Sequence, residues 1–110
     1  MPNQQLTRVF RALSDPTRRA VLERLTRGSA TVSELAQAFN MALPSFVQHL
    51  GVLEDCGLVR SKKEGRVRIY TLAPKPLESA EYWLLAQRAI WERRLDSLDD
   101  FLKTLKEPKR

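Results

Sequence analysis

Residues 31–57, TVSELAQAFNMALPSFVQHLGVLEDCG, constrain the fold more than any other stretch, because they spell two short helices with a turn between them. Thr31 and Glu34 stand at capping-box spacing, so the Thr hydroxyl can take the Glu34 backbone N–H while the Glu side chain reaches back. Val32, Leu35, Ala36 and Phe39 supply an apolar face at helical spacing. Residues 40–43 break the pattern, and Pro44 is tolerated because a first helical turn has no donor to lose. Phe46, Leu50 and Leu53 then face inward at i, i+4, i+7, and Gly57 suits a left-handed C-cap. Gly51 inside that helix costs about 1 kcal/mol against Ala. Ser45, Val47, Gln48 and His49 fall outside the inward stripe or at its edge. A tight turn leading to a helix that displays side chains near its start is the helix-turn-helix layout, and makes this helix the candidate DNA reader.

The charge distribution agrees. The net charge of +6 lies wholly within residues 1–76, which hold twelve Lys or Arg against six Asp or Glu. Residues 77–110 hold seven of each. The first part therefore suits a polyanionic partner, and the second has a different job. A chain of 110 residues with 43% hydrophobic content reads as one domain with a modest core, over 1–110. No apolar run has membrane-spanning length and the N-terminus shows no signal-peptide pattern, so a cytoplasmic location without membrane contact is expected. One cysteine excludes an internal disulfide and a multi-thiolate zinc site.

Upstream, Leu6, Val9, Phe10 and Leu13 define a short amphipathic helix over 4–13. Asp15 is a good N-cap and Pro16 fits the first position of a second helix, closed by Gly28. Arg24 and Arg27 read as solvated surface, while Arg18 and Arg19, at a helix start, are equally suited to touching phosphate. Downstream, Val67, Ile69 and Thr71 alternate with Arg66, Arg68 and Tyr70, and Glu64-Gly65 suits a tight turn. The hairpin carries five cations and one acid over 60–68. Lys62, Lys63, Arg66 and Arg68 are placed to hold phosphates or enter the minor groove as a basic wing. The DNA-binding core is thus expected over 14–73.

Pro74 and Pro76 end the hairpin, and no helix breaker follows until about Lys106. Leu84, Trp91, Leu98 and Leu105 recur every seven residues, joined by Leu95 and Leu102, and Trp83, Ile90 and Phe101 widen the stripe. Such a stripe over 77–106 exceeds what one small domain covers, which favours a seam between two copies. The candidate interface comprises Leu6, Phe10, Trp83, Leu84, Trp91, Leu95, Leu98 and Leu102. A two-fold dimer presents two reading helices to one face of a duplex.

Catalysis is not expected. His49 and Cys56 are the only residues of their types and lie about 10 Å apart along one helix, too far for a nucleophile pair. Cys56 reads as a small buried hydrophobe, and His49 as either a DNA contact or a residue pinned by its neighbours. Ser45 and Gln48 can hydrogen-bond base edges, and Val47 can touch a thymine methyl or pack at the core's edge.

Leu13-Ser14-Asp15-Pro16-Thr17-Arg18-Arg19, Glu34-Leu35-Ala36, Pro44 with His49-Leu50, Leu53-Glu54, Gly57-Leu58-Val59 and residues 65–70 resemble the ArsR family of bacterial winged-helix regulators over residues 6–72. The resemblance implies a mainly helical winged helix-turn-helix of about five helices and a two-stranded wing. It also implies a cytoplasmic homodimer, formed through first and last helices, that binds an imperfect palindrome of double-stranded DNA and usually represses. Where metal-sensing members have Cys-Val-Cys, Thr31, Val32 and Ser33 stand here. The last helix has no His to accompany Glu92, Asp96 and Asp100, so neither metal site nor cofactor is expected. Ala42 and Val47 replace serines frequent in the family, so base preference does not transfer. The effector is left open, and a wing scaffold that binds protein instead of DNA is the rival reading.

Overall fold

The computed structural model describes the backbone of residues 2–106 and the side chains of residues 4–106. The elements are α1 (Pro2–Leu13), α2 (Pro16–Leu25), β1 (Ala30–Thr31), α3 (Val32–Ala36), α4 (Leu43–Asp55), β2 (Val59–Glu64), β3 (Val67–Leu72) and α5 (Lys75–Lys106). The three strands form one antiparallel sheet in the order β1-β3-β2. The winged helix-turn-helix reading is therefore correct, and the wing gains a third strand that was not expected. Ala30 and Thr31 pair with Tyr70 and Ile69, a contact too short to leave any periodicity in the sequence.

Local chemistry fixes the helix ends. Asp15 caps α2 by accepting the Arg18 N–H at 3.0 Å, with Pro16 in the first turn. Both halves of the Thr31/Glu34 capping box are formed, at 3.0 and 3.2 Å. α4 ends in a Schellman motif, with Leu58 N–H on the Leu53 carbonyl and Gly57 N–H on that of Glu54, each at 3.0 Å. Gly57 takes the required positive φ, +82°, and Leu53 and Leu58, at the positions that make the accompanying apolar contact in such motifs, are both buried.

The core joins Val9 and Ala12 of α1, Val21, Leu22 and Leu25 of α2, Leu35 of α3 and Phe46, Leu50 and Leu53 of α4. Tyr70 and Leu58 close it from the sheet side, and the rings of Phe39 and Phe46 stand 5.2 Å apart. The three inward positions expected of α4 are all buried. The chain divides into two compact units, one ending at Ala80 and the next beginning at Glu81. Pro76 and Ala80, in the first turns of α5, are buried in the first unit, and Leu77 packs against the same core. Among the described residues no helix is long and apolar enough to cross a membrane.

Candidate nucleic-acid interface

The buried stripe of α4 dictates what its outer face offers. Ser45, Val47 and Gln48 are exposed, and no hydrogen bond to another described residue occupies the Ser45 hydroxyl or the Gln48 amide. Leu43, at the helix start, is also exposed, at 55%, and lies one turn from Val47 at 46%. Leu43 falls in the stretch whose pattern reads as a break, although its i−4 relation to Val47 is a signal present in the sequence. The first two turns of α4 thus present apolar and neutral polar groups with no acid among them. That is the chemistry that base edges and thymine methyls accept.

The wing joins the same helix at its last turn, where Ser61 meets Glu54. Glu64 pairs with Val67, so the turn residues are Gly65 and Arg66. Gly65 has φ +63° and Arg66 does not have positive φ, the pattern of a type II′ hairpin turn. Alternation along β3 sends Tyr70 inward and leaves Val67 exposed. Lys62 lies opposite Ile69, and Lys63 lies directly opposite Arg68. Like charges placed opposite one another destabilise a hairpin unless something neutralises them. Among the described residues Lys62, Lys63 and Arg66 form no ion pair. Arg68 is engaged: its Nη1 donates to Ser61 Oγ at 2.9 Å, and Ser61 Oγ lies 2.7 Å from Glu54 Oε2.

The arginines at the start of α2 turn inward on the protein. Arg18 donates from Nε to the Ala12 carbonyl at 2.8 Å and from Nη2 to the Arg11 carbonyl at 3.0 Å. Arg19 donates to the Leu13 carbonyl at 2.6 Å. Together they satisfy carbonyls that the end of α1 leaves without helical partners. The third Arg18 donor meets His49 Nδ1 at 3.1 Å, and Asp15 Oδ2 lies 3.7 Å from the same nitrogen. His49 is accordingly half-buried against α2. The Arg18 backbone N–H, with His49 and the Arg18 charge nearby, holds the Asp15 carboxyl below the usual aspartate range.

Cys56 is buried, its thiol 3.3 Å from the Leu53 carbonyl, and burial pushes its pKa up, away from a reactive thiolate. Thr31 stands at the start of α3 as a helix cap. Among the described residues no three His, Cys, Asp or Glu side chains group closely enough to hold a metal ion. On α5, Trp83, Leu84, Trp91, Leu95, Leu98 and Leu102 are exposed, while Leu6 and Phe10 of α1 pack partly on the core.

Residues 13–62 match a family described as a helix-turn-helix domain. The chain is 34% identical to the transcriptional repressor SdpR of Bacillus subtilis, over 73% of this chain and 89% of that one. It is 43% identical to the HTH-type transcriptional regulator Rv2034 of Mycobacterium tuberculosis, over 64% and 65% of the two chains. It resembles the crystal structure of an ArsR family transcriptional regulator with 54% identity and a TM-score of 0.79, covering 82% of this chain and 93% of that one. An ArsR-like transcriptional regulator from Rhodococcus sp. RHA1 superimposes with a TM-score of 0.75 at 34% identity, covering 97% of each chain. The chain belongs to the ArsR family of winged helix-turn-helix regulators, DNA-binding proteins of transcription and not enzymes.

Proposed function

We propose that this regulator is a homodimeric repressor whose paired α4 helices read the two halves of an imperfect palindrome. The observation that carries the reading is the open outer face of α4 beside a hairpin with three unpaired cations. Ser45, Val47 and Gln48 take the base-edge contacts, with Leu43 added to them. Lys62, Lys63 and Arg66 hold phosphates, supplying affinity with little sequence preference. His49 serves indirectly, by fixing α4 against α2.

Dimerisation is supported by α5. Trp91, Leu95, Leu98 and Leu102 keep heptad spacing and stay exposed, Trp91 at 66%. A second copy is the partner whose stripe is complementary by symmetry, and a two-fold axis doubles the phosphate contacts. Leu6 and Phe10 of α1, part-buried on the core of the first unit, are separate candidates for contact with a second copy. Repression is supported by the Bacillus subtilis relative, which is a transcriptional repressor.

Selection of bound duplexes from a random pool, with light scattering on the free protein, tests this. An enriched inverted repeat and a mass twice the 12.7 kDa of one chain are expected. A monomer that retains a different protein through α5 and enriches no sequence establishes the rival, a protein-interaction module.

A further inference from the structure

We propose that Arg68 braces the wing against α4 through Ser61 and Glu54, positioning the wing's other cations on DNA without itself contacting phosphate. The inference rests on the DNA-binding reading of the wing above and divides its four cations into two kinds.

The hairpin register sets the division. Ser61 lies opposite Tyr70 and Lys63 opposite Arg68, so Ser61 and Arg68 are diagonal neighbours on the face that Tyr70 buries. Lys62 belongs to the other face, opposite Ile69. Arg68 can only donate, so Ser61 Oγ accepts from it at 2.9 Å and gives its single proton to Glu54 Oε2 at 2.7 Å. The hydrogen bonds run in one direction from guanidinium to hydroxyl to carboxylate, each polarising the next. Glu54 belongs to the last turn of α4, so the chain ties the end of the reading helix to both wing strands.

Charge points the same way. An acid on the reading helix repels phosphate, and Arg68 offsets it. The same contact draws the Arg68 charge toward Glu54, easing its opposition to Lys63. The Tyr70 hydroxyl lies near this cluster, and its pKa is raised by burial, with the Glu54 charge adding. Arg68 is thus a positioning residue.

Salt dependence separates the two kinds of cation. A duplex enriched by the wild-type chain is titrated by anisotropy across salt with Arg68→Ala, Ser61→Ala, the double variant, Glu54→Gln and Lys63→Ala. Arg68→Ala and Ser61→Ala are expected to weaken binding about three- to tenfold, the scale of one net hydrogen bond, with the salt slope kept. The double variant should lose no more than either single change, because both break one chain. Glu54→Gln, which keeps an acceptor for Ser61, should bind more tightly than Ser61→Ala. Lys63→Ala should instead flatten the slope by about 0.9, one phosphate contact. If Arg68→Ala does not fold, Ser61→Ala decides alone. A slope flattened by Arg68→Ala as by Lys63→Ala, unchanged affinity, or losses that multiply in the double variant would overturn the brace alone. A wild-type chain that enriches no duplex overturns the DNA-reading proposal with it.

Discussion

Arg18 of α2 and His49 of α4 meet at 3.1 Å between guanidinium Nη1 and imidazole Nδ1, joining the first turn of one helix to the middle of the other. A guanidinium only donates, so in the neutral ring Nδ1 is the acceptor of this contact. The same guanidinium reaches the Ala12 and Arg11 carbonyls, so one side chain ties three helices together. A lysine ammonium lacks that planar fork. Arg18→Lys is therefore expected to cost about 1–3 kcal/mol, lowering Tm by about 4–8 °C per kcal/mol for a domain this size. Thermal unfolding checks it, and a lysine variant that melts like the wild type contradicts the three-way tie.

Asp15 gives the fold an acid-sensitive joint. Its carboxyl is held low chiefly by the Arg18 backbone N–H it accepts, with the His49 and Arg18 charges adding. A folded-state pKa below the unfolded one means stability that is complete above the unfolded value and is lost as pH falls through the folded value. Asp15→Asn keeps a capping acceptor but cannot titrate, so its Tm should fall less than that of the wild type below about pH 4. Asp15→Ala should cost about 1 kcal/mol at neutral pH. Parallel acid slopes for the wild type and Asp15→Asn would rule the carboxylate out.

Gly51 inside α4 and Gly57 just past its end should respond in opposite directions. Gly51 lies inside α4 with nothing within 4 Å of an added Cβ, so Gly51→Ala should stabilise by about 1 kcal/mol. Gly57 holds φ +82°, and its Cβ would stand 3.4 Å from Pro76 Cγ, so Gly57→Ala should destabilise by about 1 kcal/mol or more. Denaturant midpoints measure both, and equal signs would mean that the helix end is mislocated.

Leu98 tests the proposed seam. A carboxylate there would be buried without a partner between two stripes, at a cost of several kcal/mol for each copy. Leu98→Glu should halve the mass seen by light scattering and leave helix content intact. An unchanged dimer removes Leu98 from the interface.

Much of this was legible because it is local. Asp15-Pro16, Thr31 with Glu34, and Gly57 each announce a helix end through groups within a few residues, and all three function as read. Phe46, Leu50 and Leu53 marked the buried side of α4, and so its outer side. What escaped depends on chain brought from elsewhere. Arg18 and Arg19 carry the same charge whether they face phosphate or the end of α1, and only tertiary placement decides. Periodicity in β3 gave alternation without saying that Tyr70 would be the inward side chain. α3 ends at Ala36, short of Phe39, yet Phe39 still packs on Phe46, so the apolar pattern outran the helix. Arg68 shows the same limit, since its partner on α4 is fourteen residues away.

The most direct test of the central claim is a salt titration of duplex binding by the wild type and by Lys63→Glu combined with Arg66→Glu. Wild-type affinity should fall steeply and linearly on logarithmic axes as salt rises, and the double charge reversal should abolish binding without changing the mass seen by light scattering. Affinity that ignores salt, or that survives the reversal, would contradict the assignment of α4 and its wing to DNA.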